Sequence, residues 1–348
     1  TMNTFDVFTG QDFGNQASAD PNPLLVFPTP SSTYLENGPP LQIDARAIVT
    51  DANSVTFNGG VLTVTNSVNA TVDDRLEITN QGTVPGGIGI SGGNVTFGGT
   101  LIGTFTGGAG ANPLLVTFNT SATAPIITAL LRQITFRVAS DTPSELPRTI
   151  VAQVTDGAGG ISNIATLQIL VVAQNDVPVN TVPAGTSTVL RNVSFAFTGP
   201  NTVSFADPDL GILPLLVTLT AANGTVSLAS TTGLNFIAGD GTADPTMSFT
   251  GTAANINAAL AGLSFTSNPG YIGAASITIS SNDQGASGAG GPLIDTDIIA
   301  VTVVNLPPTL TSIGALNGAI EDIDFVITHA ALALVADDAD PNFDPLPF

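Results

Sequence analysis

The chain has 348 residues and a mass of 34.9 kDa, which is room for two or three domains of ordinary size. Its 27 acidic residues stand against six basic ones, and the net charge of -21 argues against nucleic acid as a partner. All six bases are Arg and there is no Lys, Cys or Trp, which excludes thiol catalysis, zinc bound through Cys, Lys Schiff bases, disulfides and isopeptide crosslinks from Lys.

The first segment, residues 1–20, is polar and lacks the basic start and apolar stretch of a secretion signal. No apolar run in the chain approaches the roughly 18 residues of a spanning helix, so we expect no membrane insertion. Because the sequence begins Thr-Met, we expect it to be a processed or excerpted piece of something longer. The hydrophobic content of 43% is too high for a disordered acidic tail and predicts a folded protein.

Short β-branched segments follow along the chain, and many alternate apolar with polar residues. Residues 61–65, 216–220, 276–280 and 300–304 are examples. A period of two predicts half-buried strands. Clusters of Gly, Pro, Asn and Asp lie between these segments and are typical of turns. The pattern predicts an all-β fold of β-sandwiches.

The chain also contains an internal repeat. Residues 123–136 align with residues 252–265, and each segment predicts a short Ala/Leu-rich helical turn followed by a strand. Acidic turns recur at Asp156 and Asp283. A pair of acidic or amide side chains occurs three times, as Asp51 with Asn53, Asp207 with Asp209, and Asp338 with Asp340.

The repeat predicts the domain boundaries. A strand followed by a Pro-containing linker occurs at residues 173–178 and again at 305–308. The first module is longer than the second, and the excess is assigned to the Gly-rich segment 82–110. The predicted division is an N-terminal extension at 1–20, module 1 at 21–176, module 2 at 177–305 and an incomplete module 3 at 306–348.

Several short motifs lie in order along these modules. They are Tyr34-Leu-Glu36-Asn37, Asn175-Asp176-Val-Pro178, Asp207-Pro-Asp209, Ala221-Ala-Asn223-Gly224-Thr225, Gly239-Asp240-Gly241-Thr242, Phe249-Thr-Gly251-Thr252 and Glu321-Asp322-Ile-Asp324-Phe325. In their order and spacing, residues 30–348 resemble the tandem cadherin-like, immunoglobulin-type β-sandwich repeats of very long bacterial surface proteins. The resemblance implies an extracellular stalk, adhesin or fibre whose modules are joined end to end by calcium.

The resemblance also implies which residues bind calcium. The first junction would use Glu36, Asp156, Asn175, Asp176, Asp207 and Asp209. The second would use Asp283, Glu321, Asp322, Asp338 and Asp340, although its linker, Asn305-Leu306, lacks the Asp of the first. Asp outnumbers Glu 23 to 4, and short carboxylates on loops suit calcium. The alternative is that these Asp residues only form turns and keep the surface soluble.

Other chemistries find little support in the sequence. Residues 87–92 match G-x-G-x-x-G, but residues 94–97 predict a strand where a dinucleotide site needs a helix. The acid pairs lack the Trp platforms of sugar-cleaving clefts, and only two Tyr residues occur. The single His, His329, has no nucleophile motif nearby. We therefore expect no enzyme.

The sequence predicts an extracellular structural or adhesive protein, a calcium-rigidified stalk or filament subunit of a bacterial surface. Its expected partners are further modules of the same chain or other copies of itself, end to end. A neighbouring copy could complete module 3 with its residues 1–20 and so form a polymer, or the chain could be an excerpt of a giant protein. The alternative function is binding of a surface glycan or receptor through loops at a sandwich end, with segment 82–110 as the candidate surface.

Overall fold

A computed structural model describes residues 22–285, 287–306, 309–315, 317–318, 320–328 and 336–339. The chain divides into two compact units, residues 1–173 (unit 1) and residues 174–348 (unit 2). Within the described residues, strands dominate both units and each unit has one short α-helix. This confirms the all-β β-sandwich fold. The three-module division stays a prediction, and its N-terminal extension lies outside the described residues.

Unit 1 is a sandwich whose core lies between an eight-stranded and a three-stranded sheet. The larger sheet has the order β2-β13-β12-β5-β10-β9-β8-β7, the smaller has the order β3-β11-β6, and β1 pairs with β4. The elements are β1 (Leu24–Val26), β2 (Ser31–Leu35), β3 (Leu41–Gln42), β4 (Ile48–Thr50), β5 (Val61–Val68), β6 (Asp74–Ile78), β7 (Ile88–Ser91), β8 (Asn94–Phe97), β9 (Thr100–Thr106), β10 (Leu114–Phe118), α1 (Ala124–Leu131), β11 (Ile134–Val138), β12 (Arg148–Val154) and β13 (Ala165–Val172).

Unit 2 repeats this arrangement with a six-stranded sheet, β15-β24-β23-β18-β21-β20, and a three-stranded sheet, β16-β22-β19, while β14 pairs with β17. A further pair, β25 with β26, follows. The elements are β14 (Val179–Thr181), β15 (Ser187–Leu190), β16 (Phe195–Ala196), β17 (Ser204–Ala206), β18 (Leu215–Ala222), β19 (Gly224–Ser227), β20 (Asn235–Ala238), β21 (Thr246–Gly251), α2 (Ala253–Leu260), β22 (Ser264–Ser267), β23 (Gly273–Asn282), β24 (Ile294–Val304), β25 (Thr309–Ile313) and β26 (Ala336–Ala339).

Alternation along the strands builds the two cores. In β5, Leu62 and Val64 are fully buried, while Val61, Thr63 and Thr65, which alternate with them, are half-buried. In β18, Leu215, Val217 and Leu219 follow the same rule. Each fully buried aliphatic side chain contributes about 1.5–3 kcal/mol to folding, so the period of two specifies which face of each strand turns inward.

The predicted helical turns are present as α1 and α2. Ile127, Leu130 and Leu131 of α1 are buried in the core of unit 1, and Ile256 and Leu260 of α2 are buried in that of unit 2. Each of these helices has eight residues, and no helix in the described part of the chain is long and apolar enough to cross a membrane. A strand follows each helix, as the repeat predicts.

The Gly-rich segment 82–110 is built into the large sheet of unit 1. It forms β7, β8 and β9, which pair antiparallel in sequence. In unit 2 the corresponding sheet ends at β20, so the β7–β8 hairpin is the addition. The strand β8 after residues 87–92 agrees with the expectation that no helix follows that motif. The segment extends a sheet edge, whereas the glycan-binding alternative places it in end loops.

A buried ion pair lies inside unit 1. Arg148 is fully buried and donates from Nε to Asp74 Oδ2 at 3.1 Å, while Asp74 is 2% exposed. Asn66 Nδ2 and the Thr71 amide also donate to Asp74, at 2.7 and 2.9 Å. These three donors contact Oδ2, and Thr71 Oγ1 donates to Oδ1 at 3.0 Å. Both carboxylate oxygens therefore have a donor, which is the condition under which a buried charge is tolerated.

Removing the cation of this pair should destabilise unit 1 strongly. Arg148→Ala leaves the Asp74 carboxylate buried without its counter-charge, and we expect a loss of about 3–5 kcal/mol in the free energy of unfolding. Arg137→Ala is the matched control, because its pair with Glu77 has side chains that are 36% and 42% exposed. The control should cost at most about 1 kcal/mol. Equal losses in urea unfolding of the two variants would contradict this account.

Candidate metal centre

Five of the predicted ligand residues lie together at one end of unit 2, which we call the unit 2 acidic cluster: Asn175, Asp176, Asp207, Asp209 and Asp283. Three chain segments supply them. Residues 175–176 precede β14, residues 207–209 follow β17, and Asp283 follows β23. Because β14 and β17 pair antiparallel, with Val179 opposite Ala206, the first two segments meet at the same end of the sandwich.

Asp283 anchors the linker residue Asn175 to this end. Asn175 Nδ2 donates to Asp283 Oδ2 at 2.6 Å and to the Gly291 carbonyl at 3.1 Å. The other oxygen, Asp283 Oδ1, accepts the amides of Gly285 and Leu293 at 2.7 and 2.8 Å. Asp283 is 1% exposed, and its hydrogen bonds fix the direction of the Asn175 side chain.

A glycine makes this approach of two segments sterically allowed. Gly288 has a φ of +75°, a left-handed conformation that favours glycine. A Cβ there would lie 2.4 Å from the Gln174 carbonyl carbon and 2.6 Å from the Asn175 nitrogen. The backbone amide of Asn175 also donates to the Ala289 carbonyl at 3.0 Å. A side chain at position 288 would therefore displace the linker from the cluster.

The second part of the cluster is a turn that presents two carboxylates. Asp207 Oδ1 accepts the amides of Asp209 and Leu210 at 3.3 and 3.2 Å, which is the geometry of an Asx turn. Asp209 Oδ2 accepts the amide of Asp176 at 3.3 Å. These bonds use one oxygen of each carboxylate and hold the other oxygen in place.

Those other oxygens have no donor. Asn175 Oδ1, Asp207 Oδ2 and Asp209 Oδ1 are all buried from solvent, and none accepts a hydrogen bond from any residue that the structure describes. Buried acceptors are nearly always satisfied, so three orphaned oxygens in one cluster need an explanation. Calcium takes six to eight oxygen ligands from carboxylates, amides and carbonyls, and this donor set fits it.

The electrostatics of the cluster point the same way. The pKa of Asp207 is raised from 3.8 to about 7, mainly by burial and secondly by the neighbouring Asp209 carboxylate. The unit carries few cations of its own, since Arg191 is the only Arg in the sequence of residues 174–348. Either a proton or a metal ion is therefore needed to relieve the repulsion between the two carboxylates.

In unit 1, Glu36 lies at the end where β13 finishes. It is 3% exposed, and its amide donates to the Val172 carbonyl at 3.0 Å. A carboxylate oxygen of Asp141 lies within 4.8 Å of a carboxylate oxygen of Glu36. Asp141 is not among the calcium ligands predicted from the sequence. Arg148 Nη1 donates to the Ser144 carbonyl at 2.7 Å and so fixes the loop that carries Asp141.

Asp156 lies at the opposite end of unit 1 from Glu36, which corrects the predicted grouping. It follows β12 and precedes β13, and β13 has eight residues, so the two ends are about 25 Å apart. Asp156 Oδ2 accepts from Ser54 Oγ at 3.4 Å, and Asp51 accepts the Ser54 amide at 3.2 Å. Asp156 thus belongs with Asp51 in an arrangement that resembles the unit 2 acidic cluster.

The predicted second junction is also not brought together as proposed. Asp283 belongs to the unit 2 acidic cluster, whereas Asn305 follows β24, whose eleven residues span about 35 Å. Glu321 and Asp322 are exposed. The backbone of Asp338 lies in β26, with no description of its side chain, and Asp340 and His329 lie outside the described residues.

The internal repeat in the sequence does indicate which acidic residues lie together. Asp156 and Asp283 occupy the same turn in the two units, after β12 and after β23. The pair at Asp51 and the pair at Asp207 also occupy matching turns, after β4 and after β17. Each acidic turn therefore belongs with the acid pair of its own unit.

No family model matches the sequence, and no curated protein matches it. Solved structures that it resembles include mouse cadherin-23 EC22–24, at 12% identity and a TM-score of 0.28, covering 84% of this chain and 71% of that one. Drosophila N-cadherin EC1–4 is 13% identical with a TM-score of 0.28, covering 82% and 50%. CfaE, the adhesive subunit of the CFA/I fimbria of enterotoxigenic Escherichia coli, is 12% identical with a TM-score of 0.28, covering 83% and 100%. At these values the resemblance carries no argument about function.

The raised pKa of Asp207 predicts how the stability of metal-free protein depends on pH. Between about pH 4 and 7 the folded state holds a proton that the unfolded chain releases, so stability should fall as the pH rises through this range. Because Asp207 is partly exposed, we expect an effect of about 1 kcal/mol. Asp207→Asn cannot titrate and should show a smaller loss of melting temperature from pH 5 to pH 8 than the parent. Identical slopes for parent and variant would contradict the prediction.

Proposed function

We propose that this chain is an extracellular structural or adhesive protein whose β-sandwich units bind calcium. The observation that carries the proposal is the set of three buried, donor-free oxygens on Asn175, Asp207 and Asp209. They share one end of unit 2 with Asp176 and Asp283. A cation there would satisfy all three oxygens together and would offset both the burial and the neighbouring Asp209 carboxylate, which raise the pKa of Asp207.

The residues that would hold the ion are those of the unit 2 acidic cluster. Asp207 and Asp209 would supply charge, Asn175 an amide oxygen, and Asp283 would orient Asn175 through the 2.6 Å hydrogen bond. Bound calcium would supply positive charge and would hold the linker segment 175–176 against the turn at 207–209. That Glu36 joins the same set of ligands stays a prediction from the family resemblance.

The proposed role follows from what such an ion would do. Extracellular calcium modules bind at about 10⁻⁴–10⁻³ M, a range in which the ion is present outside cells and scarce inside them. A linker held by calcium would be stiff, which suits a stalk or filament on a bacterial surface. The proposed partners are further modules or other copies of the chain, end to end, and no catalytic role is proposed.

Calcium should stabilise the protein through this cluster. Relative to metal-free buffer, calcium at 100 times its dissociation constant should raise the free energy of unfolding by about 2.7 kcal/mol by mass action. Asp207→Asn with Asp209→Asn should abolish most of the rise in melting temperature and lower the calcium stoichiometry measured by titration calorimetry.

The matched control is Asp240→Asn, an exposed Asp of the same unit. Its Oδ1 accepts the Thr242 amide at 2.9 Å, and an Asn side chain keeps an oxygen for that bond. It should leave the calcium response unchanged. If the double variant responds to calcium like the parent protein, or the parent binds no calcium, the proposal fails. Glu36→Gln, measured beside them, tests whether Glu36 contributes to the same binding event.

A further inference from the structure

The outer edge of the unit 1 sheet is closed by two side chains. β7 is the last strand of the eight-stranded sheet, and β8 covers only one of its sides. An edge strand normally presents unpaired N–H and C=O groups, which can pair with a strand of another chain. In β7, the backbone groups of Ile88 and Ile90 that face away from β8 are already used.

Asn80 and Gln81 use them. The Ile88 amide donates to Gln81 Oε1 at 2.9 Å, and the Ile88 carbonyl accepts the Gln81 amide at 2.6 Å. The Ile90 amide donates to Asn80 Oδ1 at 3.0 Å, and the Ile90 carbonyl accepts from Asn80 Nδ2 at 3.3 Å. Asn80 and Gln81 thus satisfy four backbone groups of β7. Side-chain atoms satisfy three of these groups, and the Gln81 backbone amide satisfies the fourth.

Glycines allow the segment 80–82 to lie close against β7. A Cβ at Gly89 would be 2.5 Å from the Gly82 carbonyl oxygen and 2.5 Å from Thr96 Oγ1. The Gly82 amide donates to Asn80 Oδ1 at 3.0 Å, so the same side-chain oxygen holds both the turn and the edge. The segment is therefore in direct contact with β7 along its length.

The composition of the region shows why such a cap matters. Residues 78–131 contain no charged side chain, although the whole chain has a net charge of -21. Proteins commonly protect sheet edges with Lys or other charges, and uncharged β-prone segments pair readily. Because residues 78–131 have no charge that could protect the β7 edge, the hydrogen bonds of Asn80 and Gln81 protect it instead.

We propose that Asn80 and Gln81 guard the β7 edge against antiparallel pairing with β7 of a second copy of the chain. The occupant that the cap excludes is a second copy because β7 is short, uncharged and apolar at Ile88 and Ile90, and an identical strand offers the same pattern in reverse. None of its four hydrogen bonds involves a residue of the unit 2 acidic cluster, so we expect it to form without calcium. End-to-end association through the proposed calcium sites would thus leave the β7 edge closed.

The test removes the three side-chain hydrogen bonds to β7 with Asn80→Ala and Gln81→Ala, and reports on the edge with a single cysteine. Since the chain has no Cys, Ser91→Cys places a unique thiol at the exposed end of β7. A short bismaleimide crosslinker is added in metal-free buffer, where calcium-dependent association is absent. We expect at least a tenfold increase in crosslinked dimer for the uncapped protein over Ser91→Cys alone. Thr142→Cys, exposed on another loop, should show no increase on removal of the cap.

A rescue variant separates edge pairing from general aggregation. Ser91→Lys in the uncapped protein puts a charge on the edge and should restore the monomer in sedimentation velocity. A folded, uncapped protein that stays monomeric overturns the proposal, as does association that Ser91→Lys leaves unchanged. Should the double variant fail to fold, Asn80→Ala and Gln81→Ala are scored singly in the same crosslinking assay. Monomers in both would equally overturn it.

Discussion

A buried carboxylate must have a positive or hydrogen-bonding partner, and the two units meet this requirement in different ways. In unit 1, Asp74 is paired inside the sandwich by Arg148 and by donors from Asn66 and Thr71. In unit 2, Asp207 and Asp209 face each other with one orphaned oxygen each. Five of the six Arg residues belong to residues 1–173, so unit 2 has almost no internal cation to offer. Folding alone neutralises Asp74 in unit 1, whereas Asp207 and Asp209 in unit 2 need a proton or an added ion.

Sheet topology decides where these acids can act. β13 and β24 run the length of their units, and the turn before each carries Asp156 or Asp283. In unit 1, the far end of β13 contacts the chain at Glu36 through the Val172 carbonyl. A carboxylate at the start of such a strand therefore cannot share an ion with one at its end. Each acid is committed to one end of its sandwich by strand direction alone.

The sequence predicted the strands and helices but not the strand directions that decide which acidic residues lie together. Period-two alternation identified β5, β18, β23 and β24, and the Ala/Leu-rich repeat located α1 and α2. The acid pairs were found because they recur. Their grouping was missed, because spacing along the chain gives a position within a module and the sheet order decides which end that position occupies. Asp141 and Asn80 carried no recurring signal, since their importance comes from neighbours that are distant in sequence.

The β7–β8 hairpin adds two strands to the large sheet of unit 1 and places β7 at its edge. Unit 2 ends its large sheet at β20, where a register shift between Phe236 and Ala238 breaks the regular ladder. A bulge of this kind makes an edge a poor template for another strand. Unit 1 extends past the equivalent strand and ends on Asn80 and Gln81 instead. The two large sheets therefore end differently at this edge: unit 2 ends on an irregular strand, whereas unit 1 ends on a strand whose outward-facing groups are already hydrogen-bonded to Asn80 and Gln81.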